Sequence, residues 1–522
     1  MVQVCGAAQG AVYMSISRKS FLVLQGNLVT KLLGIIGMSL VAHLMGPGPI
    51  GMIAFAYAFI GLFDFIFDPG LSTAHIKIAS EKKDFGYCVG TYLSLKVISA
   101  AVATLVLMGA LFWTIFIGDG FDTPGLHKVV LIILVSKIIE NIFMYPLVSF
   151  TATQEMAKRT TIKFLKSFSD LIFVATVALF YRNVYALAST HVLTEIVIAA
   201  GSLYLFKGYP LKKPRRSDYK RYIKFSLPLI GISVVGILSR SIDKIMIQAF
   251  WGSIQVGQYH CASRATEFML ILSASLLTVL IPIFSNMHAK GKFEEIKLIL
   301  EKAEKYMMLL IGPLLMFIFA FARPLVILFL GKEFAMSVPI MRILCVSTLG
   351  LTLIRPINSL IVGIGKVKWI FWLTCFLVGT NFILNMVFIP DHLLGMKMIG
   401  LGALGAAVAT AITRLSGVGM LCLLLRKKMK FNPVSSSLIK SIIPIFIVAT
   451  LFIYIVFPVT GEDIWVLSFV PIALLIYVGL LKLLGEFGKP EITLILAAAN
   501  PKKLKSYIKN EFTRGEKLES HT

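Results

Sequence analysis

The amino-acid sequence predicts an all-α polytopic membrane protein with about 14 transmembrane helices. Three observations carry this prediction: of the 522 residues 57% are hydrophobic, only 15% are charged, and the apolar residues form long continuous runs. A soluble protein carries about 25% charged residues, and one transmembrane helix takes roughly 20 apolar residues. The runs do not alternate with period two, as the strands of a transmembrane barrel do. The composition excludes a soluble enzyme, a disordered chain and a disulfide-rich secreted domain.

Fourteen apolar runs are separated by short polar breaks, and each run is predicted to form one helix. They are residues 21–44, 51–67, 91–118, 129–150, 167–180, 185–206, 225–250, 258–286, 306–329, 338–362, 369–389, 399–425, 441–457 and 464–481. Residues 1–20 are a short cytoplasmic N-terminus. Its Arg18 and Lys19 follow a weakly apolar stretch instead of preceding it, so no cleavable signal peptide is predicted.

Lysine and arginine residues are concentrated in alternate loops. The segments on one side, which include both termini, carry 37 of them, and the loops on the other side carry only Lys128, Arg182, Lys332 and Lys397. Basic residues collect on the cytoplasmic side of membrane proteins. The sequence therefore predicts a multi-pass protein of the cytoplasmic membrane with both termini inside. This distribution explains the net charge of +25 without a nucleic-acid partner.

A weak internal repeat appears when the sequence is shifted by 206 residues. The shift places Leu44–Ala56 on Phe250–Ala262, and it places Gly46 and Gly51 on Gly252 and Gly257. Six helices are an even number, so the two copies would share one orientation, related by an axis along the membrane normal. The predicted organisation is an N-lobe (21–206), a basic cytoplasmic linker (207–224), a C-lobe (225–425), helices 13 and 14 (441–481) and a basic cytoplasmic tail (482–522).

The basic tail contains a predicted amphipathic helix at residues 502–517. Its spacing places Leu504, Tyr507, Ile508 and Phe512 on one face. A basic amphipathic helix of this kind lies on an anionic leaflet. Anionic membrane lipids are therefore one predicted partner.

Sixteen charged residues fall inside the apolar runs. They are Lys31, Lys96, Lys137, Arg240, Lys244, Arg264, Arg323, Arg342, Arg355 and Arg414, and the acids Asp64, Glu140, Asp170, Glu195, Asp243 and Glu267. A cation at the bilayer centre costs about 2.5–3.5 kcal/mol, so most of these side chains are expected to face the interior. Lys96, Lys137, Arg323 and Arg342 are expected to pair or to reach the membrane surface, Lys137 with Glu140.

The excess of bases over acids predicts a cationic interior cavity. Such a cavity suits a phosphate or pyrophosphate, which arginine binds with two hydrogen bonds. The residues predicted to bind substrate there are Lys31, Asp64, Arg240, Asp243, Lys244, Arg264, Glu267 and Arg355. No catalytic residue, metal site or cofactor is predicted. The six cysteines have no paired spacing, so we interpret them as packing residues.

The stretch Ser241–Asn286 carries a recognisable pattern. Asp243–Lys244 precedes a turn, the next helix starts as G-x-Y-x-x-A-x-R from Gly257 to Arg264, and Pro282 lies near its inner end. This pattern resembles the polysaccharide or O-antigen-type lipid-linked oligosaccharide flippases of the multidrug/oligosaccharidyl-lipid/polysaccharide (MOP) exporter superfamily. Further similar segments are Gly331–Leu344, Arg355–Lys368, Asn381–Pro390 and Gly402–Arg414.

The resemblance implies two six-helix lobes around a central hydrated cavity. It implies transfer of an isoprenoid-pyrophosphate-linked oligosaccharide across the cytoplasmic membrane by alternating access. Helices 1, 2, 7 and 8 would form the cavity walls and Arg264 would line the cavity. The implied partners are the lipid-linked oligosaccharide and enzymes of polysaccharide assembly.

Two other functions stay open at this point. A cation-coupled multidrug exporter of the same superfamily would need acids in the cavity; Asp64 and Glu267 favour it, whereas Lys31 on helix 1 counts against it. A membrane-embedded glycosyl or phosphoryl transferase would need a larger extramembrane loop. The nearest approach to paired catalytic carboxylates is Asp64 with Asp68. The sequence therefore favours a transporter over an enzyme.

Overall fold

A computed structural model describes residues 25–27, 29–81, 84–118, 120–429, 436–460, 464–489 and 491. The predicted amphipathic helix at 502–517 and both chain termini lie outside these described residues. Within them the protein is helical, with one short β-hairpin between two helices.

The helices fall into two halves. Those of the first half are α1 Gln25–Met45, α2 Pro47–Gly61, α3 Asp64–Phe67, α4 Leu71–Ser80, α5 Phe85–Phe112, α6 Leu126–Phe143, α7 Tyr145–Ala152, α8 Met156–Phe180 and α9 Val184–Leu205. Those of the second half are α10 Arg216–Ala289, α11 Phe293–Ala320, α12 Ala322–Phe329, α13 Ser337–Gly363, α14 Val367–Phe388 and α15 Gly402–Met429. The hairpin, β1 His392–Leu393 with β2 Met396–Lys397, precedes α15. The helices α16 Ser436–Leu451, α17 Phe457–Thr460 and α18 Val470–Leu483 follow.

Ten helical segments among the described residues are long and apolar enough to cross a membrane, and up to 12 if two bent helix pairs each count as one span. One bent pair is Pro47–Gly61 with Asp64–Ser80, which meet at 53°. Helix α8 is not among these segments because Lys163, Lys166 and Asp170 interrupt its apolar stretch. The protein is therefore a helical multi-pass membrane protein, and the number 14 stays a prediction.

Two glycines of the predicted repeat adopt the same unusual backbone conformation. Gly46, between α1 and α2, has φ 73° and ψ −171°, and Gly252, inside α10, has φ 75° and ψ −177°. Side chains disfavour this region, which glycine enters freely. Gly252 divides α10 into α10a (216–251) and α10b (253–289). The two positions are 206 residues apart, as the repeat predicts.

The other two glycines of the repeat let α2 and α10b approach backbone to backbone. A Cβ atom on Gly51 would lie 1.7 Å from the Ser253 carbonyl oxygen, and one on Gly257 would lie 2.0 Å from the Pro47 carbonyl oxygen. Pro47 and Ser253 are also 206 residues apart. The contact is therefore reciprocal, as expected where two copies meet across a two-fold axis.

The basic linker at residues 207–224 is held on the first half. The Lys212 amide donates a hydrogen bond of 3.0 Å to the Gly86 carbonyl oxygen. Further along, the buried Tyr222 hydroxyl lies 2.8 Å from Nδ1 of the buried His75. The start of α10 therefore packs against the first half before the helix continues into the second.

The last helices pack on α11. Phe321, Phe452 and Tyr477 are fully buried in one apolar cluster. After α18, the chain is attached to α11 by Lys305, whose Nζ lies 2.8 Å from Glu491 Oε1 and 3.6 Å from Glu486 Oε2.

We expect this attachment to weaken in acid. The hydrogen bond from Lys305 holds the pKa of Glu491 below its ordinary value of 4.5. A carboxylate whose pKa is lower in the folded than in the unfolded protein stabilises the fold at pH values above its unfolded-state pKa. This contribution to the free energy of unfolding is lost as the pH falls through the folded-state pKa. Thermal unfolding of the detergent-solubilised protein should therefore depend on pH below about 4.5 less steeply in Lys305→Gln than in the wild type. The exposed Lys482→Gln variant is the control, and equal slopes in all three proteins would contradict the assignment.

Candidate functional site

A charged cavity lies between the two halves. This central cavity has a volume of about 590 Å³, and its wall includes side chains of α1, α2, α8, α9 and α10. The cations in the wall are Lys31, Lys166, Lys244 and Arg264, and the one acid is Asp170. Because a low-dielectric surrounding strengthens electrostatic interactions, this excess of positive charge favours an anion.

Two of these cations lie well inside their helices. Lys166 lies ten residues into α8 and Arg264 lies twelve residues after Gly252. At 1.5 Å per residue these positions are about 15 and 18 Å from the helix ends. Both side chains therefore lie well away from these helix ends.

The four cations differ in how firmly neighbouring acids hold them. Lys166 Nζ lies 2.6 Å from Glu195 Oε1. Arg264 Nη1 lies 3.9 Å from Glu267 Oε2, and the two side chains are 50% and 57% exposed. Within the described residues no carboxylate lies within 4 Å of the ammonium group of Lys31 or Lys244. Lys31, Lys244 and Arg264 are therefore available to a ligand.

Two histidines in the same wall were not predicted from the sequence. His191 Nδ1 lies 3.7 Å from Asp170 Oδ1, and its ring meets the Tyr57 ring edge-on at 5.4 Å. The buried Nδ1 atom of His260 has no hydrogen-bond partner among the described residues. The sequence did not indicate these histidines as site residues, because each is a single histidine in an apolar helix. Nothing in the sequence shows that both rings line the same cavity.

A second cavity, the inner cavity, has a volume of about 540 Å³. Its charged wall residues are Asp64, Asp68, Lys96, Lys137, Glu140 and Arg240. All except Arg240 belong to the first half. Three acids therefore face three bases in this cavity, in contrast to the cationic central cavity.

The lysines of the inner cavity are neutralised by ion pairs. Lys96, only 1% exposed, lies 3.2 Å from Asp68 and donates a 2.9 Å hydrogen bond to Asn141 Oδ1. Lys137 lies 3.2 Å from Asp64 and 3.1 Å from Glu140. The predicted pairing of Lys137 with Glu140 is confirmed.

Asp243 lies in neither cavity but in a hydrogen-bonded cluster of the second half. Its carboxylate accepts hydrogen bonds from the Tyr259 hydroxyl (2.5 Å), the Asn385 amide (2.7 Å) and the Thr410 hydroxyl (3.1 Å). Asn385 also donates to Asn381 Oδ1 at 3.2 Å. Three donors satisfy this carboxylate.

The eight predicted substrate-binding residues are thus divided among several places. Lys31, Lys244 and Arg264 share the central cavity, and Asp64 and Arg240 share the inner cavity. Asp243, Glu267 and Arg355 line neither cavity. Arg355 instead donates a 2.8 Å hydrogen bond to the Leu270 carbonyl oxygen. Across the described ranges, no three His, Cys, Asp or Glu side chains come together in a group that could hold a metal ion.

The sequence matches a known family over residues 40–339, and that family is described as "Polysaccharide biosynthesis protein". The matched region is more than half of the 522 residues. The chain belongs to this family. The prediction of a polysaccharide flippase family, made from Ser241–Asn286, is confirmed.

This chain is similar to one curated protein, the "Probable low-salt glycan biosynthesis flippase Agl15" of Haloferax volcanii. The two are 24% identical over 203 residues, which are 39% of this chain and 41% of the relative. The match thus spans less than half of the relative's length.

Two solved structures share the fold. The "Lipid II flippase MurJ, inward closed conformation" matches 88% of this chain and 97% of its own with a TM-score of 0.67 and 17% identity. An inward-facing multidrug resistance MATE family transporter of the MOP superfamily matches 81% of this chain and 99% of its own, with a TM-score of 0.55 and 16% identity. All three relatives are described as flippases or transporters, in agreement with the sequence-based choice of a transporter over an enzyme.

Proposed function

We propose that this protein is a flippase that moves an isoprenoid-pyrophosphate-linked oligosaccharide across the cytoplasmic membrane. The single observation that carries the proposal is the charge of the central cavity, in which four cations face one acid. The names of two relatives, a lipid II flippase and a glycan biosynthesis flippase, support a lipid-linked glycan as the substrate.

The diphosphate is the part of the substrate that these cations suit. Lys31 and Lys166 come from the first half, whereas Lys244 and Arg264 come from the second. Arginine binds phosphate through a planar fork and lysine acts as a point charge. A diphosphate between them would be held by both halves at once, while the isoprenoid tail stays in the bilayer.

Alternating access needs two bodies that rock about the site. We propose 14 spans in two six-helix lobes, 21–206 and 225–425, with helices 13 and 14 at 441–481 and both termini in the cytoplasm. The reciprocal contacts of Gly51 and Gly257 support the two-fold relation between the lobes. The 37 basic residues on one side support the orientation. The basic tail would then meet the anionic lipids of the inner leaflet.

A second candidate function is cation-coupled multidrug export. It is favoured by four carboxylates near the cavities of the first half, those of Asp64, Glu140, Asp170 and Glu195, and by the MATE-like fold. Three of the four are paired with Lys137 or Lys166. The cationic central cavity would also repel a cationic drug, so we place this function second.

We expect Arg264→Ala and Lys244→Ala to slow flipping at least about tenfold each. A hydrogen bond to a charged group is worth about 1.5–3 kcal/mol, and about 1.4 kcal/mol corresponds to a factor of ten. The measurement is the exposure of a pyrophosphate-linked oligosaccharide to an external lectin in proteoliposomes. Lys332→Ala, which removes an exposed cation away from the cavities, should keep the wild-type rate.

Two other outcomes would contradict these assignments. Wild-type rates in Arg264→Ala and Lys244→Ala would keep the flippase and reject the central cavity as the site. Absence of flipping in correctly folded wild type, together with ion-driven efflux of a cationic dye, would replace the flippase by the drug exporter.

A further inference from the structure

The central and inner cavities lie next to each other along α10a. Arg240 lines the inner cavity and Lys244 lines the central cavity. Residues four apart share one face of a helix and are separated by about 6 Å along its axis. On the opposite wall, Lys166 of the central cavity lies 3.6 Å from Glu140 of the inner cavity. A group bound in one cavity is therefore within one helical turn of the other.

The wall that the first half contributes to the inner cavity suits uncharged hydroxyl groups. The charges of Lys96 and Lys137 are compensated by neighbouring carboxylates. The wall also includes the hydroxyl of the exposed Thr73, whereas the buried Asn141 amide is already hydrogen-bonded to Lys96. A sugar hydroxyl both donates and accepts hydrogen bonds, so a wall that mixes carboxylate, ammonium and hydroxyl groups can bind several of them.

Arg240 differs from the other charged residues of the inner cavity in two ways. It comes from the second half, and among the described residues no carboxylate or hydrogen-bond acceptor holds its guanidinium group. The other two bases of the inner cavity are both paired. An arginine fork matches a carboxylate with two parallel hydrogen bonds. The inner cavity therefore offers one unpaired anion-binding group opposite three acids that each contact a lysine, Glu140 also contacting Lys166 of the central cavity.

We infer that the inner cavity binds the sugars next to the diphosphate and that Arg240 selects glycans that carry a carboxylate there. This inference rests on the proposed flippase function. With the diphosphate at Lys244 and Arg264, the first sugars lie one helical turn along α10a, beside Arg240. A hexuronate, a sugar with a carboxylate, gives Arg240 its missing partner, and the matching neutral hexose leaves the guanidinium without one.

The test compares two lipid-linked disaccharides that differ only in having a hexuronate or the matching hexose. A third lipid, isoprenoid diphosphate without sugar, reports on the diphosphate alone. Flipping in proteoliposomes is measured for the wild type, Arg240→Gln and Arg240→Lys. We expect the wild type to move the hexuronate lipid about tenfold faster than the hexose lipid, which corresponds to about 1.4 kcal/mol. Arg240→Gln should bring this ratio close to one, and Arg240→Lys should give an intermediate ratio because it keeps the charge but not the fork.

Lys332→Gln is the matched control, because it removes one exposed cation outside both cavities and should leave the ratio unchanged. Equal rates for the two disaccharides in the wild type would overturn the inference. Equal slowing of all three lipids in Arg240→Gln would assign Arg240 to the diphosphate instead of the sugar. Absence of flipping for every lipid would overturn the proposed function itself, and the inference with it.

A binding measurement separates recognition from transport and does not depend on flipping. Equilibrium dialysis of the detergent-solubilised protein should show tighter binding of a free hexuronate than of the matching hexose. Arg240→Gln should remove the difference while its thermal unfolding curve stays that of a folded protein. Equal binding of both sugars to the wild type would contradict the inference.

Discussion

Replacing Gly51 or Gly257 with alanine is expected to slow flipping at least about tenfold. The new Cβ atom would lie 1.7 Å from the Ser253 carbonyl oxygen in the first variant and 2.0 Å from the Pro47 carbonyl oxygen in the second. Both obstacles are backbone atoms of the opposing helix, so no side-chain rotation relieves the overlap. Overpacking costs about 1–3 kcal/mol where neighbours can move, and here a whole helix must shift. The halves could then no longer close against each other at this crossing.

Flipping in proteoliposomes and the accessibility of engineered cysteines in α2 and α10b measure this effect. Gly48→Ala is the matched control on the same helix, since its Cβ atom would meet only Ile254 Cγ1 at an ordinary 3.9 Å. We expect Gly48→Ala to flip at the wild-type rate and Gly51→Ala to fall at least about tenfold, a difference of about 1.4 kcal/mol or more. Comparable activity of the two variants would show that the close crossing is not needed.

The second large effect is expected for Lys96→Met. Lys96 is 1% exposed, and its ammonium contacts the Asp68 carboxylate at 3.2 Å. Removing one partner of a buried ion pair costs about 3–5 kcal/mol because the other charge is left without compensation. We expect the free energy of unfolding to fall by about 3 kcal/mol, the lower end of this range. The reason is that the Asp68 side chain is 31% exposed, so water compensates part of its charge.

Denaturation of the detergent-solubilised protein measures this loss, and a double variant tests its cause. Lys96→Met combined with Asp68→Asn removes both charges, so it should recover most of the stability lost in the single variant. If the two substitutions destabilise additively, the ion pair is not the origin of the effect, and the loss comes from the packing of the Lys96 stem.

The sequence predicted those parts of the fold that depend on local patterns. Apolar runs gave the positions of most helices, and the i, i+3 spacing gave the Lys137–Glu140 pair. The glycine coincidences pointed to Gly46, Gly51, Gly252 and Gly257, because few other residues could occupy such a turn or such a close crossing. These features are readable because each is set by a chain neighbour or by a single residue type.

The candidate site was harder to predict because distant parts of the chain build it. The predicted fifth helix began at residue 167, because the start of α8 is too polar for an apolar run, and Lys166 was therefore assigned to a loop. In the structure Lys166 lines the central cavity. Asp68 and Lys96 are 28 residues apart and meet only in the folded protein. Asp243 is held by Asn385 and Thr410, more than 140 residues away. No spacing rule connects such positions.

The attachment of the basic linker to the first half has a consequence for recombination between family members. The Tyr222 hydroxyl lies within hydrogen-bond distance of His75 Nδ1, and the Lys212 amide donates a hydrogen bond to the Gly86 carbonyl oxygen. A chimera joined at residue 206, where the apolar pattern of the first half ends, would place a foreign linker on this surface. A junction after residue 231 keeps the linker with the helices that bind it. Functional chimeras between family members are therefore expected to join after the linker, where these contacts end, and not at residue 206, where the apolar pattern ends.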